Sequence, residues 1–303
     1  MPGAATHRQE PLKPFPQCVD CLMKLAESAA VLADSQNARL QKEVQTEARK
    51  ILERGEGSTL SSPQMANLIL KEIKNRFGVP DPYETFKRKE MALARQIVSR
   101  LEQDVGPDLR SRVGFAVLGN SLDFFKDPEE SLAAIPGQLR KGLAFFYDDT
   151  DRLEVFLSKE PDLVLYLTDN AGEIFFDLPL YDYIGARAKE TVLVVKGGPS
   201  LNDLTRAELR EAQLEDRFRR VADTGVDGAG VDWDRVSDEF LELVEKADLI
   251  LSKGMANFET IYPKDLFPAA FFLLKAKCRP IQDYLHVPPE SFLAFWRDGH
   301  KVQ

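Results

Sequence analysis

The stretch Asp162-Leu163-Val164-Leu165-Tyr166-Leu167-Thr168, followed by Asp169-Asn170-Ala171-Gly172-Glu173, decides the fold class. An almost unbroken apolar run of strand length runs into a polar turn with a glycine, and a helical stretch follows near Phe175 to Lys189. The same unit recurs downstream. Thr191 to Val195 ends in Lys196-Gly197-Gly198-Pro199, Phe218 to Ala222 in Asp223-Thr224-Gly225, and Ala247 to Leu251 in Ser252-Lys253-Gly254. Helices are expected at Leu204 to Leu214, Asp234 to Lys246 and Glu259 to Phe267. Near-continuous apolar strands alternating with helices predict an α/β protein, a three-layer α/β/α domain with a mostly parallel sheet.

Upstream of this domain the pattern is helical. Cys18 to Arg54 is a long run of helix formers with apolar residues at Leu22, Leu25, Ala29 and Leu32, the spacing of a buried stripe, and Gly55 to Ser62 breaks it. Ser62 as N-cap and Pro63 at the first helical position open a helix to Phe77, stopped by Gly78 and Pro80. Pro82 to Gln103 and Pro107 to Phe125 read as two more helices. The linker Lys126 to Leu139, with Pro128, Pro136 and Gly137, marks a boundary. A helical N-terminal domain over 1–140 and an α/β/α domain over 141–303 are therefore expected.

The chain has 303 residues, 44% hydrophobic and 29% charged, enough to bury a core and not the composition of a disordered acidic polymer. With 40 basic against 49 acidic residues the net charge is −9, so neither nucleic acid nor an anionic membrane is an expected partner. No apolar run approaches the roughly 20 residues of a membrane-spanning helix. Met1 to Glu10 is polar and lacks the apolar segment and cleavage site of a secretion signal. Three cysteines, an odd number, do not make a secreted disulfide framework in a chain of this size. A cytoplasmic location is expected.

In an open parallel sheet, right-handed crossovers bring every strand's carboxyl end to one edge, where ligands bind. The turns then converge Asp169, Asn170, Asn202, Asp203, Asp223, Lys253 and Asn257. Carboxylate and amide oxygens suit magnesium or manganese, with nickel or cobalt as further options, and no His or Cys is among them to build a zinc site. Singly, Asp and Asn at strand ends also serve as helix N-caps. Gly172 lets backbone approach a ligand and Glu173 opens a helix, so Asp169 to Glu173 is a candidate phosphate cradle, with the other glycine turns as further sources of amides. Lys275 and Lys277 sit in the apolar segment Ala269 to Cys278; each either snorkels from an element end or stands beside a bound phosphate.

These motifs together resemble the DUF89 family of metal-dependent damage-control phosphatases. The resemblance rests on Asp169-Asn170-Ala171-Gly172-Glu173, Gly198-Pro199 with Asn202-Asp203, Asp223-Thr224-Gly225, Lys253-Gly254-Met255-Ala256-Asn257-Phe258-Glu259 and Leu274-Lys275-Ala276-Lys277-Cys278. Asp81-Pro82-Tyr83 and Gly119-Asn120-Ser121-Leu122-Asp123 are similar to its helical region, and Cys18-Val19-Asp20-Cys21 to the Cys-x-x-Cys of its small stand-alone branch. The resemblance covers roughly 18–285 and fades after Gln282. It implies that Asp169, Asn170 and Asp203 hold a divalent metal and that Lys253 to Asn257, Gly254 included, contact substrate while Lys277 binds phosphate. The expected reaction is hydrolysis of a small phosphomonoester, a sugar phosphate or a damaged phosphometabolite. Asp169, Asn170, Asp203 and Lys253 are the candidate catalytic set. Glu173, Asn120, Asn202, Asp223, Gly254, Asn257 and Lys277 are the candidate substrate contacts, with Asp223 or Glu173 orienting the attacking water and the Lys253 ammonium pointing into the cleft.

Other signals compete. Cys18 and Cys21, one helical turn apart, suit redox chemistry or simple packing, and Cys278 as the sole further thiol leaves a zinc site short of ligands. Asp149-Thr150-Asp151 is a poor match to haloacid-dehalogenase-type phosphatases because Leu153 stands where Thr or Val is expected. The glycine-rich segment Asp223 to Gly230 is not G-x-G-x-x-G and no P-loop occurs, but it leaves an S-adenosylmethionine-dependent methyltransferase as an alternative. A non-catalytic metabolite-binding module is the other. His7, His286 and His300 read as solvated, and Phe292 to Trp296 as a packed C-terminal segment.

Overall fold

A computed structural model describes residues 16–55, 60–123, 125–264 and 268–299. The polar segment 1–10, His7, His300, positions 56–59 of the expected break and the last residues of the helix expected to reach Phe267 lie outside the described residues. In chain order the helices of the first half are α1 (Pro16–Ala33), α2 (Ala38–Gly55), α3 (Ser62–Phe77), α4 (Glu84–Leu101), α5 (Leu109–Gly119), α6 (Pro128–Ala133) and α7 (Ile135–Lys141). Then come β1 (Phe145–Asp148), α8 (Thr150–Leu157), β2 (Leu163–Leu167), α9 (Ile174–Gly185), β3 (Glu190–Val195), α10 (Arg206–Glu211) and β4 (Val221–Asp223). The chain closes with α11 (Asp238–Lys246), β5 (Leu249–Lys253), α12 (Met255–Ile261), β6 (Ala269–Lys275), α13 (Arg279–Leu285) and β7 (Phe292–Arg297).

The strands form one seven-stranded sheet in the order β1-β7-β6-β5-β2-β3-β4. All pairings are parallel except β6 with β7. Alternation along each strand separates the two faces. Val164, Tyr166, Leu249 and Leu251 join the core under α4, α5, α8 and α9. Leu165, Leu167, Ile250 and Phe272 face the core under α11, α12 and α13. A third cluster packs α1, α2 and α3 together and reaches Leu201 and Ala229 in the loops above the sheet. β2 pairs with β3 on one side and β5 on the other, so the chain reverses its direction of winding there. The carboxyl ends of β2 and β5 flank that switch point, where such sheets open a crevice.

Several local expectations are refined. The single helical run from Cys18 divides at Asp34 to Asn37, because Asp34 accepts the Gln36 amide and Asn37 accepts that of Leu40, ending one helix and capping the next. Leu32, expected on the buried stripe, is exposed. The N-cap of α3 is Ser61 rather than Ser62, in a reciprocal capping box with Gln64, and Gly78 ends the helix at φ 65°. The linker expected from Lys126 to Leu139 folds into α6 and α7. Phe292 to Trp296 is the strand β7, not merely a packed tail.

Candidate active site

Two loops build the floor of the site. After β2 the chain turns at Asp169-Asn170, and after β3 it returns through Asn202-Asp203. The loops are zipped: Leu204 N–H donates to Asp169 O at 2.9 Å, Ala171 N–H to Asn202 O at 2.8 Å, and Asn170 and Asp203 form an antiparallel bridge. Two carboxylates and one amide are thereby held side by side at the switch point.

Each group is oriented from behind. Asn120, at the end of α5, donates through Nδ2 to Asp169 Oδ2 and to Glu173 Oε1, both at 2.8 Å, while its Oδ1 accepts the Lys275 amide at 2.9 Å. Asn170 commits Nδ2 to Glu173 Oε1 at 2.7 Å, which leaves its carbonyl oxygen for a cation. Asp203 Oδ2 is buried and accepts no hydrogen bond. With no hydrogen bond and only the Lys196 ammonium 4.0 Å away, such a buried oxygen is costly unless a ligand completes it. Burial, then the charges of Glu173 and Asp203, push the Asp169 carboxyl well above its ordinary value; burial brings Asp203 up to about 6 against the pull of Lys196 and Lys87. Negative groups gathered with too little positive charge, all oxygen donors, fit a hard divalent cation. Among the described residues no group of three His, Cys, Asp or Glu is placed to hold a metal, and a set of two aspartates and one asparagine is not such a group.

Above this floor lies a cleft of about 290 Å³, walled by α1, α3, α12 and α13. Of the expected residues, Asp169, Asn170, Asn202, Asp203 and Lys277 line it. Lys277 Nζ donates to Leu122 O at 2.6 Å. Lys275 instead pairs with Glu290 at 2.5 Å, away from the cleft. Cys18, Cys21 and Cys278, all free, also line the cleft, and desolvation pushes the Cys278 thiol up to about 12. A larger groove of about 1260 Å³, at the other edge of the sheet near Asp162, Asp248 and Ala269, has no such constellation.

The other expected residues are placed differently. Lys253 does not point into the cleft: its fully buried ammonium donates to Glu173 Oε2 at 2.7 Å, Asp177 Oδ1 at 2.6 Å and Ala116 O at 3.0 Å. Burial alone would pull it down, but Asp177 and Glu173 hold it well above its ordinary value. Its counter-charge is internal, so none is left for a phosphate. Glu173 is fully buried behind the cleft, where it accepts from Asn120, Asn170 and Lys253, and it does not line the cavity in which a water would be oriented. Asp223 sits on edge strand β4, paired with Arg206 at 3.1 Å and capping Gly225, so it neither reaches the cleft nor offers a nucleoside site. Asn257, 1% exposed, spends its amide on Thr168 O, Lys253 O and Lys196 Nζ and holds loops together instead of facing a substrate.

Gly254 abuts the site in the strict sense: at φ 79°, a Cβ there would stand 2.0 Å from Asp169 Oδ2. Five amides of the glycine turns, expected to face a ligand, are used internally. Ala171 N–H goes to Asn202 O, Gly172 N–H to Glu90 Oε1, Glu173 N–H to Asn170 O, Gly197 N–H to Val226 O and Gly254 N–H to Leu273 O. Residues the sequence reading passed over support the site from beneath: Glu90 on α4, Asp177 on α9 and Lys196, whose Nζ donates to Gly230 O at 2.6 Å and Asn257 Oδ1 at 2.9 Å and lies 4.0 Å from Asp203.

An acidic oxygen-donor pair at the switch point of a seven-stranded sheet, roofed by helices, places the chain among α/β proteins that bind a ligand at that crevice, and comparison with known proteins gives the family. The model of the damage-control phosphatase ARMT1-like domain matches residues 15–291, and the chain belongs to that family. A damage-control phosphatase of Archaeoglobus fulgidus is 32% identical over 279 residues, covering 89% of this chain and 94% of that protein. One from Pyrococcus horikoshii is 31% identical over 277 residues, covering 90% and 94%. The crystal structure of a DUF89 family protein from Pyrococcus horikoshii superposes with a TM-score of 0.83 at 30% identity, covering 93% of this chain and 98% of that one. The chain is thus an enzyme of phosphate-ester hydrolysis in a family that uses a divalent metal. The methyltransferase and non-catalytic readings fall with that membership. No helix among the described residues is long and apolar enough to cross a membrane.

Proposed function

We propose that this enzyme hydrolyses a small-metabolite phosphomonoester, a sugar phosphate or damaged phosphometabolite, in the cleft over Asp169, Asn170 and Asp203. The observation that carries the reading is the zipped Asp169-Asn170 and Asp203 pair, which holds a buried oxygen without a hydrogen bond beneath a cleft of metabolite size. These three residues would hold the divalent cation, manganese or magnesium by their oxygen donors, with nickel or cobalt as alternatives. When bound, the cation supplies Lewis acidity to a phosphoryl oxygen and lowers the pKa of a water.

The protein's own groups do the rest. Asn120 points the Asp169 carboxylate by donating to it and to Glu173, Glu173 accepts Asn170 in the same way, and Lys253 anchors Glu173 in turn. Lys277, a basic side chain on the cleft wall, would neutralise a phosphoryl oxygen. The apolar wall of Leu22, Leu25, Pro63 and Ile281 excludes water from the organic half of the substrate. A cytoplasmic setting and the absence of nucleic-acid partners accord with the net charge of −9.

The test is phosphate release over a panel of sugar phosphates and phosphorylated cofactors, with magnesium, manganese, cobalt and nickel in parallel. Turnover of at least one monoester, abolished by chelation and restored by one of these ions, is expected. Release that persists after exhaustive chelation would overturn the metal assignment.

A further inference from the structure

Glu90 lies on α4, in the helical region, and its carboxylate is fully enclosed. Its Oε1 accepts the Gly172 amide at 2.8 Å and its Oε2 accepts Asn202 Nδ2 at 2.8 Å. Gly172 follows Asn170 by two residues, and Asn202 directly precedes Asp203. A single carboxylate therefore spans both loops that carry the ligand set, from an element that belongs to neither. The approach is close: a Cβ on Gly172 would come within 2.8 Å of Glu90 Cγ and 3.1 Å of Oε1. An enclosed carboxylate costs stability that a leucine on the same helix face would not. What its two oxygens provide in exchange is a two-point tie between loops whose separation decides how the ligands are spaced.

We propose that Glu90 is a positioning residue for the metal site, setting the distance between the Asp169-Asn170 loop and the Asp203 loop without touching cation or substrate. The proposal rests on the assignment of Asp169, Asn170 and Asp203 as the ligands. Outer partners of this kind tune affinity because a ligand held off its best direction binds more weakly. Asn202 Oδ1 has no hydrogen-bond partner, and this shapes the conservative variant. In Glu90→Gln the new carbonyl still accepts the Gly172 amide, and the new amide donates to Asn202 once that side chain turns over.

The experiment is calorimetric titration of manganese chloride into the full chain, with thermal stability of the metal-free protein measured alongside. Glu90→Ala should bind manganese about 10-fold or more weakly, and Glu90→Gln should recover most of the loss. Gly172→Ala, whose Cβ pushes Glu90 aside, should weaken binding in the same direction and reads the same quantity if Glu90→Ala does not fold. A purely structural role would lower thermal stability and leave the affinity of folded protein unchanged. Wild-type affinity in folded Glu90→Ala, or in folded Gly172→Ala, overturns the proposal. A Glu90→Gln protein as weak as Glu90→Ala also overturns it, since charge and not the tie would then matter. Asp203→Asn separates the two readings: if it loses manganese and Glu90→Ala does not, only the positioning role fails, whereas a wild type that binds none of manganese, magnesium, cobalt and nickel in the same titration removes the ligand assignment as well.

Discussion

Gly254 and Asp169 meet so closely that the hydrogen of one occupies the place where any side chain would strike the carboxylate of the other, a Cβ falling 2.0 Å from Oδ2 and 2.2 Å from Cγ. The contact joins the end of β5 to the end of β2 at the point where the sheet changes direction. Gly254 also stands at φ 79°, in the left-handed region that side chains avoid. Gly254→Ala therefore combines backbone strain, about 1–3 kcal/mol, with displacement of a ligand. Denaturant melts should show a loss of that order, and titration should show manganese affinity falling together with turnover. A variant with wild-type metal affinity would mean that Asp169 is not a ligand in this conformation.

Asp203→Asn separates function from stability. The wild-type carboxylate is buried with Oδ2 unpartnered, and Lys196 beside it keeps Gly230 O and Asn257 Oδ1 as acceptors in the variant. Removing the charge relieves repulsion with Asp169 and takes from the buried Lys196 a counter-charge 4.0 Å away, two effects of opposite sign. The metal-free protein should stay close to wild-type stability in urea, while kcat/KM falls by about 10² or more, the scale of a lost electrostatic stabiliser. Retained metal-dependent turnover would contradict the assignment.

The legibility of this fold and site varies with burial on each side of an element. β2, β3 and β5 were readable because both faces are covered and the runs are apolar throughout. β1 and β7 were not: β1 is a mostly exposed edge strand, and the apolar run of β7, antiparallel to β6, carries no following turn and helix to mark it. The ligand candidates were readable because Asp-Asn pairs at strand ends are a local pattern. Glu90 follows Lys87, Arg88 and Lys89 and so reads as part of a solvated charged face; only the tertiary fold shows that it is enclosed. For Lys253 the signal was present. It alternates with Leu249 and Leu251, which face the core under α5 and α9, and that parity already directs the ammonium toward those helices.

A buried ion pair away from the ligands gives a pH prediction. Lys87 Nζ lies 2.5 Å from Glu208 and 2.7 Å from Asp81 and ties α4 to α10. Burial opposes both charges, yet Glu208 holds Lys87 above 10.5 and Lys87 holds Glu208 below 4.5. A depressed carboxyl contributes stability above its unfolded value, lost as pH falls through the folded one; a raised lysine contributes below its unfolded value, lost as pH rises through the folded one. The pair thus stabilises a plateau between about 4.5 and 10.5. Lys87→Met should cost about 3 kcal/mol at pH 7, and the difference from wild type should shrink as the pH falls from about 4.5 toward the lower folded Glu208 value. Urea denaturation of both proteins across this range checks it; a difference constant from pH 7 to pH 3 would show that packing, not the pair, is at stake.

The sharpest discrimination concerns Lys253. If its ammonium served a phosphate, Lys253→Met would lower turnover and leave stability alone. The structure instead surrounds it with Glu173, Asp177 and the Ala116 carbonyl, all buried. Deleting the charge strands two carboxylates in the core, which should cost about 3–5 kcal/mol and loosen Glu173, hence Asn120 and Asn170, behind the ligands. A second substitution tests the cause. Asp177→Asn removes one stranded carboxylate at almost constant shape, so the double variant should regain part of the stability lost in Lys253→Met, with a coupling of at least about 1 kcal/mol. Activity should follow stability, recovering in part in the double variant. Thermal melts and steady-state kinetics on the four proteins of this cycle decide the matter. Turnover lost at unchanged melting temperature, with no rescue by Asp177→Asn, would place the ammonium in the reaction instead of beneath it.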